Sequence, residues 1–184
     1  MWENPPWRST LVVSLAFALM AAAGCSDGGR GFAVPKAVCG TPVEPSSLSP
    51  LLPPEGKKLT EDGHALPTTD TGCTVDVDGY SAVTFGKSST NQRFDPVRVL
   101  EGVRRDHVQP LRHLPVDGRG AIADSAAMVT AECEVNKKQH LVLRFEFGDN
   151  DTHYPSEVEE RRRAIRRFVE NVARNAVQEK RCSR

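Results

Sequence analysis

Several features are missing from this sequence. After one apolar run that ends at Ala23, no second hydrophobic stretch approaches the roughly 20 residues that cross a bilayer as a helix, so a bundle of spanning helices is excluded. No two of the five cysteines stand at C-x-x-C spacing, which leaves a zinc knuckle without its ligands. No G-x-S-x-G elbow occurs, so the usual sequence mark of an α/β-hydrolase nucleophile is absent. The 24 basic residues are matched by 24 acidic ones, and no aromatics are interleaved with the basic residues to stack bases. Nucleic acid is therefore not an expected partner.

What is present begins at the N-terminus. Arg8 precedes the run Leu11 to Ala23, and the run ends on small residues, the three-part layout of a secretory signal. The segment Ala22-Ala23-Gly24-Cys25 resembles the lipobox of bacterial lipoproteins. That resemblance implies cleavage between Gly24 and Cys25 and alkylation of the Cys25 thiol by a diacylglycerol, chemistry that needs a nucleophilic sulfur. Ala22 stands where leucine is usual, so a rival cut after Ala23, as an ordinary Ala-x-Ala signal site, stays open.

The cysteine count bears on the same question. Five cysteines, Cys25, Cys39, Cys73, Cys133 and Cys182, are an odd set for an exported chain. With lipid on Cys25, four remain for two bridges in an oxidising compartment. Four cysteines allow three connectivities, and proximity along the chain favours Cys39 with Cys73 and Cys133 with Cys182.

Removing a signal over residues 1–24 leaves about 160 residues, enough for one domain with a core of its own. Residues 25–37 are Gly-rich and polar at their start and read as a flexible tether, which places a single globular domain over 38–184. Charge is uneven within that domain. Cys25 to His153 carries 14 basic and 18 acidic residues, and Tyr154 to Arg184 carries 9 and 5.

The prolines of Pro45 to Gly56 permit one short helical turn, and a polar loop is expected from there to about Gly72. "CTVDVDGYSAVTF" alternates on both sides of Asp78-Gly79, a strong hairpin signal. A helix is expected from Asp95 to about His107, with Asp95-Pro96 as its capped start. Gly118 to Ser125 adds a strand after the Asp117-Gly118 turn. In "MVTAECEV", Val129, Ala131, Cys133 and Val135 face one way; in "LVLRFEF", Leu141, Leu143, Phe145 and Phe147 share one face. The long final helix starts at a capping box, Ser156-x-x-Glu159, and carries Ile165, Phe168, Val169, Val172, Ala176 and Val177 at helical spacing. The expected fold class is α+β: an antiparallel sheet of about four to five strands, with the long C-terminal helix and one or two shorter helices packed on it.

Cys39 before a Leu/Pro turn, Cys73 opening a strand, Cys133 in a strand and Cys182 closing the last helix together resemble the actinobacterial lipoproteins of unknown function that carry one cysteine-bridged domain. The resemblance implies a fold similar to the PsbP type and a surface domain that binds something. It supplies no catalytic residue.

Four motifs carry residue types with chemical potential. "GKSS", Gly86 to Ser89, ends like a phosphate-binding loop, but Ser81 occupies the place of the required glycine, and a polar strand end is the simpler reading. Asp149, Asp151 and Glu160 fall at the first, third and twelfth places of a calcium loop, but Tyr154-Pro155 replaces the turn glycine, so the acids read as partners of a helix N-terminus. His107 and His113 lie near Asp106 with nothing to fix them on one face. "RRRAIRR", Arg161 to Arg167, reads as a solvated helix face in which Glu157, Glu159 and Glu160 pair with Arg161 and Arg163, rather than as a phosphate or anionic-lipid patch. No catalytic residue, metal ligand or cofactor is assigned.

The expectation is a lipid-anchored protein on the extracytoplasmic face of the cell membrane. Its domain acts as a non-catalytic binding module for an envelope protein, a cell-wall component or a small ligand. The alternative is a small extracytoplasmic hydrolase or small-ligand-binding protein.

Overall fold

A computed structural model describes residues 29–65, 71–103, 105–135, 138–148 and 152–179 of the 184-residue chain. The elements in chain order are β1 (Ala37–Val38), β2 (Thr41–Pro42), α1 (Pro45–Leu48), β3 (Leu59–Ala65), β4 (Thr71–Val77), β5 (Tyr80–Thr90), α2 (Pro96–Gly102), β6 (Gln109–Leu111), β7 (Gly118–Ile122), β8 (Ala126–Val135), β9 (Lys138–Phe147) and α3 (Val158–Glu179). A single 3-10 turn, Ser49–Leu51, follows α1.

The Asp78-Gly79 turn forms the hairpin its sequence demands. Asp78 (φ 53°) and Gly79 (φ 85°) both take positive φ, as a two-residue type I′ turn requires, and Val77 pairs with Tyr80 beyond it. A Cβ at Gly79 would meet nothing within 4 Å, so glycine is needed there for its backbone freedom and not for space. The β8–β9 hairpin closes the centre of the sheet, with Val129 opposite Leu143 and Ala131 opposite Leu141.

The fold is α+β, and its main sheet has seven strands in the order β3-β4-β5-β9-β8-β7-β6, every neighbouring pair antiparallel. Four to five were expected. The two that escaped the pattern, β3 and β6, are the two edges of the sheet. An edge strand bonds on one side only and favours charge or proline over an apolar alternation. β3 reads LTEDGHA and β6 carries Pro110, so both resemble loop in sequence.

One face of the sheet buries the main core. Val75, Val83, Phe85, Val129, Ala131, Cys133, Leu141, Leu143, Phe145 and Phe147 all point to it, and α3 lays Ala164, Ile165, Phe168, Val169, Val172, Ala173 and Ala176 across them. Phe168 sits edge-on to both Phe145 (6.2 Å between ring centroids) and Phe147 (6.0 Å), the arrangement that aromatic quadrupoles prefer. Val38, Val43, Leu48, Leu51 and Leu52 close the same core at its side.

The opposite face is not left bare, as a one-sided sheet would be. Leu100 of α2 covers Ala121, Ala126, Met128 and Val142 in a second, smaller cluster. α2 is shorter than expected: it runs Pro96–Gly102, capped by Asp95, whose Oδ1 accepts from the Val97 (3.0 Å) and Arg98 (3.5 Å) amides. His107 lies beyond it at φ 51°, outside helical geometry.

α3 also begins differently from its sequence signature. Its cap is Glu157 and not Ser156: the Glu157 carboxylate accepts from the amides of Glu159 (3.1 Å) and Glu160 (2.6 Å). The bonds from Glu160 and Glu159 hold this exposed carboxyl below the ordinary range.

Residues 29–36, which read as part of a tether, pack on the domain. Arg30 donates to Pro53 O (3.0 Å), Ser49 Oγ (2.7 Å), Ser49 O (2.8 Å) and Leu52 O (3.1 Å). Phe32 and Val34 pack against the core behind it.

Cys39 and Cys73 are joined in a disulfide with Cα atoms 5.9 Å apart. The bond fastens the small β1–β2 hairpin to β4, beside Gly63 of the edge strand. Cys133 is also disulfide-bonded, and its expected partner Cys182 lies outside the described residues.

Two stability changes are expected. Phe168→Ala removes the ring shared by two others and should cost about 3–5 kcal/mol, read as a lowered urea midpoint at unchanged slope. Cys39→Ser with Cys73→Ser opens a loop of sequence separation 34 and should cost about 3–4 kcal/mol in the chain-entropy account. An unchanged midpoint would show that the bridge restrains nothing in the unfolded chain.

Candidate functional site

The sequence-level site residues fall into three groups. Gly24, Cys25 and Cys182 lie outside the described residues, as do Asp149 and Asp151 of the calcium-like loop. Cys39, Cys73 and Cys133 are in disulfides. Gly86 to Ser89 lie within β5, paired to Val142–Leu143 and their neighbours, so "GKSS" is strand and forms no loop around a phosphate.

The arginine run is a solvated face only in part: Arg163 and Arg167 are exposed, but Arg161 is not. Arg161 is 6 % exposed, and its guanidinium donates to three backbone carbonyls: Asp124 (2.8 Å), Pro155 (2.9 Å) and Ser156 (3.0 Å). Arg162 donates from Nε to the Asp124 carboxylate at 2.7 Å and pairs with Glu159 at 2.7 Å. Asp124 occupies the turn between β7 and β8, so these two arginines staple that turn to the first turn of α3. The pairing expected of Arg161 with glutamates fails because a buried guanidinium needs fixed acceptors, and one carbonyl of the β7–β8 turn and two of the segment entering α3 supply them.

Asp124 also receives His107, whose Nδ1 lies 2.8 Å from Oδ2. Burial alone would raise the Asp124 carboxyl, but hydrogen bonds from His107 and Arg162 and the positive charge of Arg162 outweigh it and hold the carboxyl below its ordinary value. A His whose Nδ1–H is fixed by a carboxylate presents Nε2 as a base. Here the ring is 70 % exposed, without the enclosure that strengthens such a base.

A groove of about 400 Å³ lies elsewhere, between α1 and the middle of α3, lined by Glu44, Ser46, Ser47, Arg167, Glu170, Asn171 and Arg174. Its walls are stitched together. Asn171 Oδ1 accepts from the Glu44 amide (2.9 Å), Asn175 Nδ2 donates to Pro42 O (2.7 Å), and Lys87 bridges Thr41 (2.8 Å) to Glu179 (3.1 Å). Arg174 and Glu44, both in the lining, pair at 3.6 Å.

The groove was not legible from spacing, because Glu44 and Asn171 are 127 residues apart. One signal was available. Asn171 is 3 % exposed and lies on the apolar stripe of α3 between Phe168 and Val172, where a polar side chain demands a partner.

Compared with known proteins, the chain matches no family model, no curated protein and no solved structure.

The Asp124 staple has a defined pH signature. A carboxyl whose folded value is depressed stabilises the fold fully above its unfolded value, and that contribution is lost as pH falls through the folded value. Asp124→Asn is expected to cost about 1–3 kcal/mol at pH 7, with the gap to wild type closing as pH drops below about 4. Urea midpoints of both proteins from pH 7 to 2 check this; a gap constant over that range would mean the charge contributes nothing.

Proposed function

We propose that the protein is a surface lipoprotein held on the extracytoplasmic face of the cell membrane by a diacylglycerol on Cys25. Its globular domain is a non-catalytic binding module, and the α1–α3 groove is its binding site. The Cys39–Cys73 disulfide carries the proposal, because such bonds persist in oxidising compartments and are rare in the cytosol. With Cys39, Cys73 and Cys133 all bridged, one further cysteine serves Cys133 and one of the five is left over. Of the two candidates, Cys25 ends an apolar run behind small residues.

The likeness to actinobacterial lipoproteins and to a PsbP-type fold belongs to the same proposal. It is supported by the N-terminal pattern and the bridged α+β domain. The groove favours a cell-wall component or another small polar ligand over an apolar one, since its lining is made of charged and hydroxyl side chains. The His107–Asp124 pair favours the alternative, a small hydrolase, because it is an oriented base. Its exposure is the argument against it.

Intact mass after expression in a host with lipoprotein processing tests the anchor. The expected chain begins at Cys25 with added diacylglycerol and offers no thiol to alkylation until it is reduced, when the four cysteines other than Cys25 react. A chain starting at Gly24 without lipid, or one with free thiols, would overturn the proposal.

A further inference from the structure

Opposite charges three residues apart on a helix ordinarily meet. Arg162 and Glu159, on the same helix, do so at 2.7 Å. Arg167 and Glu170 have the same spacing and both line the groove, yet neither makes an ion pair with any described residue. Between them and the α1 wall lies Asn171, buried, with Oδ1 taken by the Glu44 amide and Nδ2 donating to no described group. That Nδ2 is not fully enclosed, so water reaches it in the groove and an acceptor on a ligand can take the place of that water.

We infer that this groove binds a compact zwitterion of the amino acid type, its carboxylate held by Arg167 and the Asn171 amide and its ammonium by Glu170. The Cβ atoms of residues at this helical spacing lie about 5–6 Å apart, so two long side chains can flank one small molecule. A guanidinium offers paired donors to a carboxylate, and the planar amide of Asn171 adds another. Glu170 supplies the acceptor that an ammonium needs. Arg174 and Glu44 pair with each other, which leaves these two charges for the ligand. A volume of about 400 Å³ exceeds what an amino acid backbone fills, so the groove also has space for a side chain, or for the rest of a larger molecule that ends in the same zwitterion.

This inference rests on the binding-module reading and names the ligand chemistry of that site. Its test is a titration of the oxidised domain with alanine, followed through the Asn171 side-chain amide resonances. N-acetylalanine, which lacks the ammonium, alaninamide, which lacks the carboxylate, and inorganic phosphate are the controls. Alanine should shift the Asn171 amide, and both derivatives should bind about tenfold or more weakly. Arg167→Gln and Glu170→Gln should each weaken alanine by a similar factor, whereas Arg163→Gln, on an exposed part of the same helix, should not. An equal response to N-acetylalanine or to phosphate would mean an anion site only and would overturn the assignment, as would no response to alanine. A response in the Arg167→Gln and Glu170→Gln proteins equal to that of wild type would overturn it too. None of these outcomes touches the anchor, which the mass measurement decides separately.

Discussion

The contact between the apolar stripe of α3 and the phenylalanine row of β9 organises the molecule. Phe168 meets Phe145 and Phe147 edge-on, and Phe85 stacks on Phe145 at 6.0 Å from the neighbouring strand. A seven-stranded sheet with one large apolar face must be covered, and a 22-residue amphipathic helix has one face to bury. Each solves the other's solvation problem, and area removed from water supplies the drive. With α3 fixed by this contact, everything else on the domain is placed relative to it.

Two polar constructions follow. At the start of α3, Arg161 and Arg162 reach back to the β7–β8 turn and fix the helix axially. Along its middle, the segment Thr41 to Ser47 is strapped to the helix by Asn171, Asn175 and the Lys87 bridge, so the outer flank of α3 is walled and not open. The groove is the gap this strap leaves. Its charges come from the helix face that the core does not use. The same helix therefore carries the domain's stability on one side and the charges of the groove on another.

The interior of the sheet was legible because buried strands must alternate, and β4, β5, β8 and β9 do so around turns of recognisable chemistry. The edges were not, since Glu61, Asp62 and Pro110 are what an edge uses to discourage further pairing. The α3 stripe was legible from its period, but its cap was assigned one residue early: Ser156 matches the capping pattern, while Glu157 makes the bonds. Arg161 shows the limit most clearly. Nothing in "RRRAIRR" distinguishes a buried arginine from its exposed neighbours, because what buries Arg161 is the β7–β8 turn, whose Asp124 carbonyl comes from 37 residues away and joins the local Pro155 and Ser156 carbonyls around the guanidinium. The groove residues were hidden because they come from two segments far apart in the chain, Glu44 and Asn171 being 127 residues from one another.

On the proposed anchor at Cys25, the clasp of Arg30 on the Ser49–Pro53 segment acquires a mechanical meaning. Five peptide steps separate the two residues, and a chain of that length reaches no farther than roughly 18 Å however it is arranged. With that lipid in place, a domain clasped so close to it would not sweep a wide hemisphere above the bilayer. It would be confined to a shell about one domain thick, where the effective concentration of other membrane-bound molecules is high. Ligands attached to the envelope near the bilayer would then be met often even when each encounter is weak, and targets beyond that shell would be out of range.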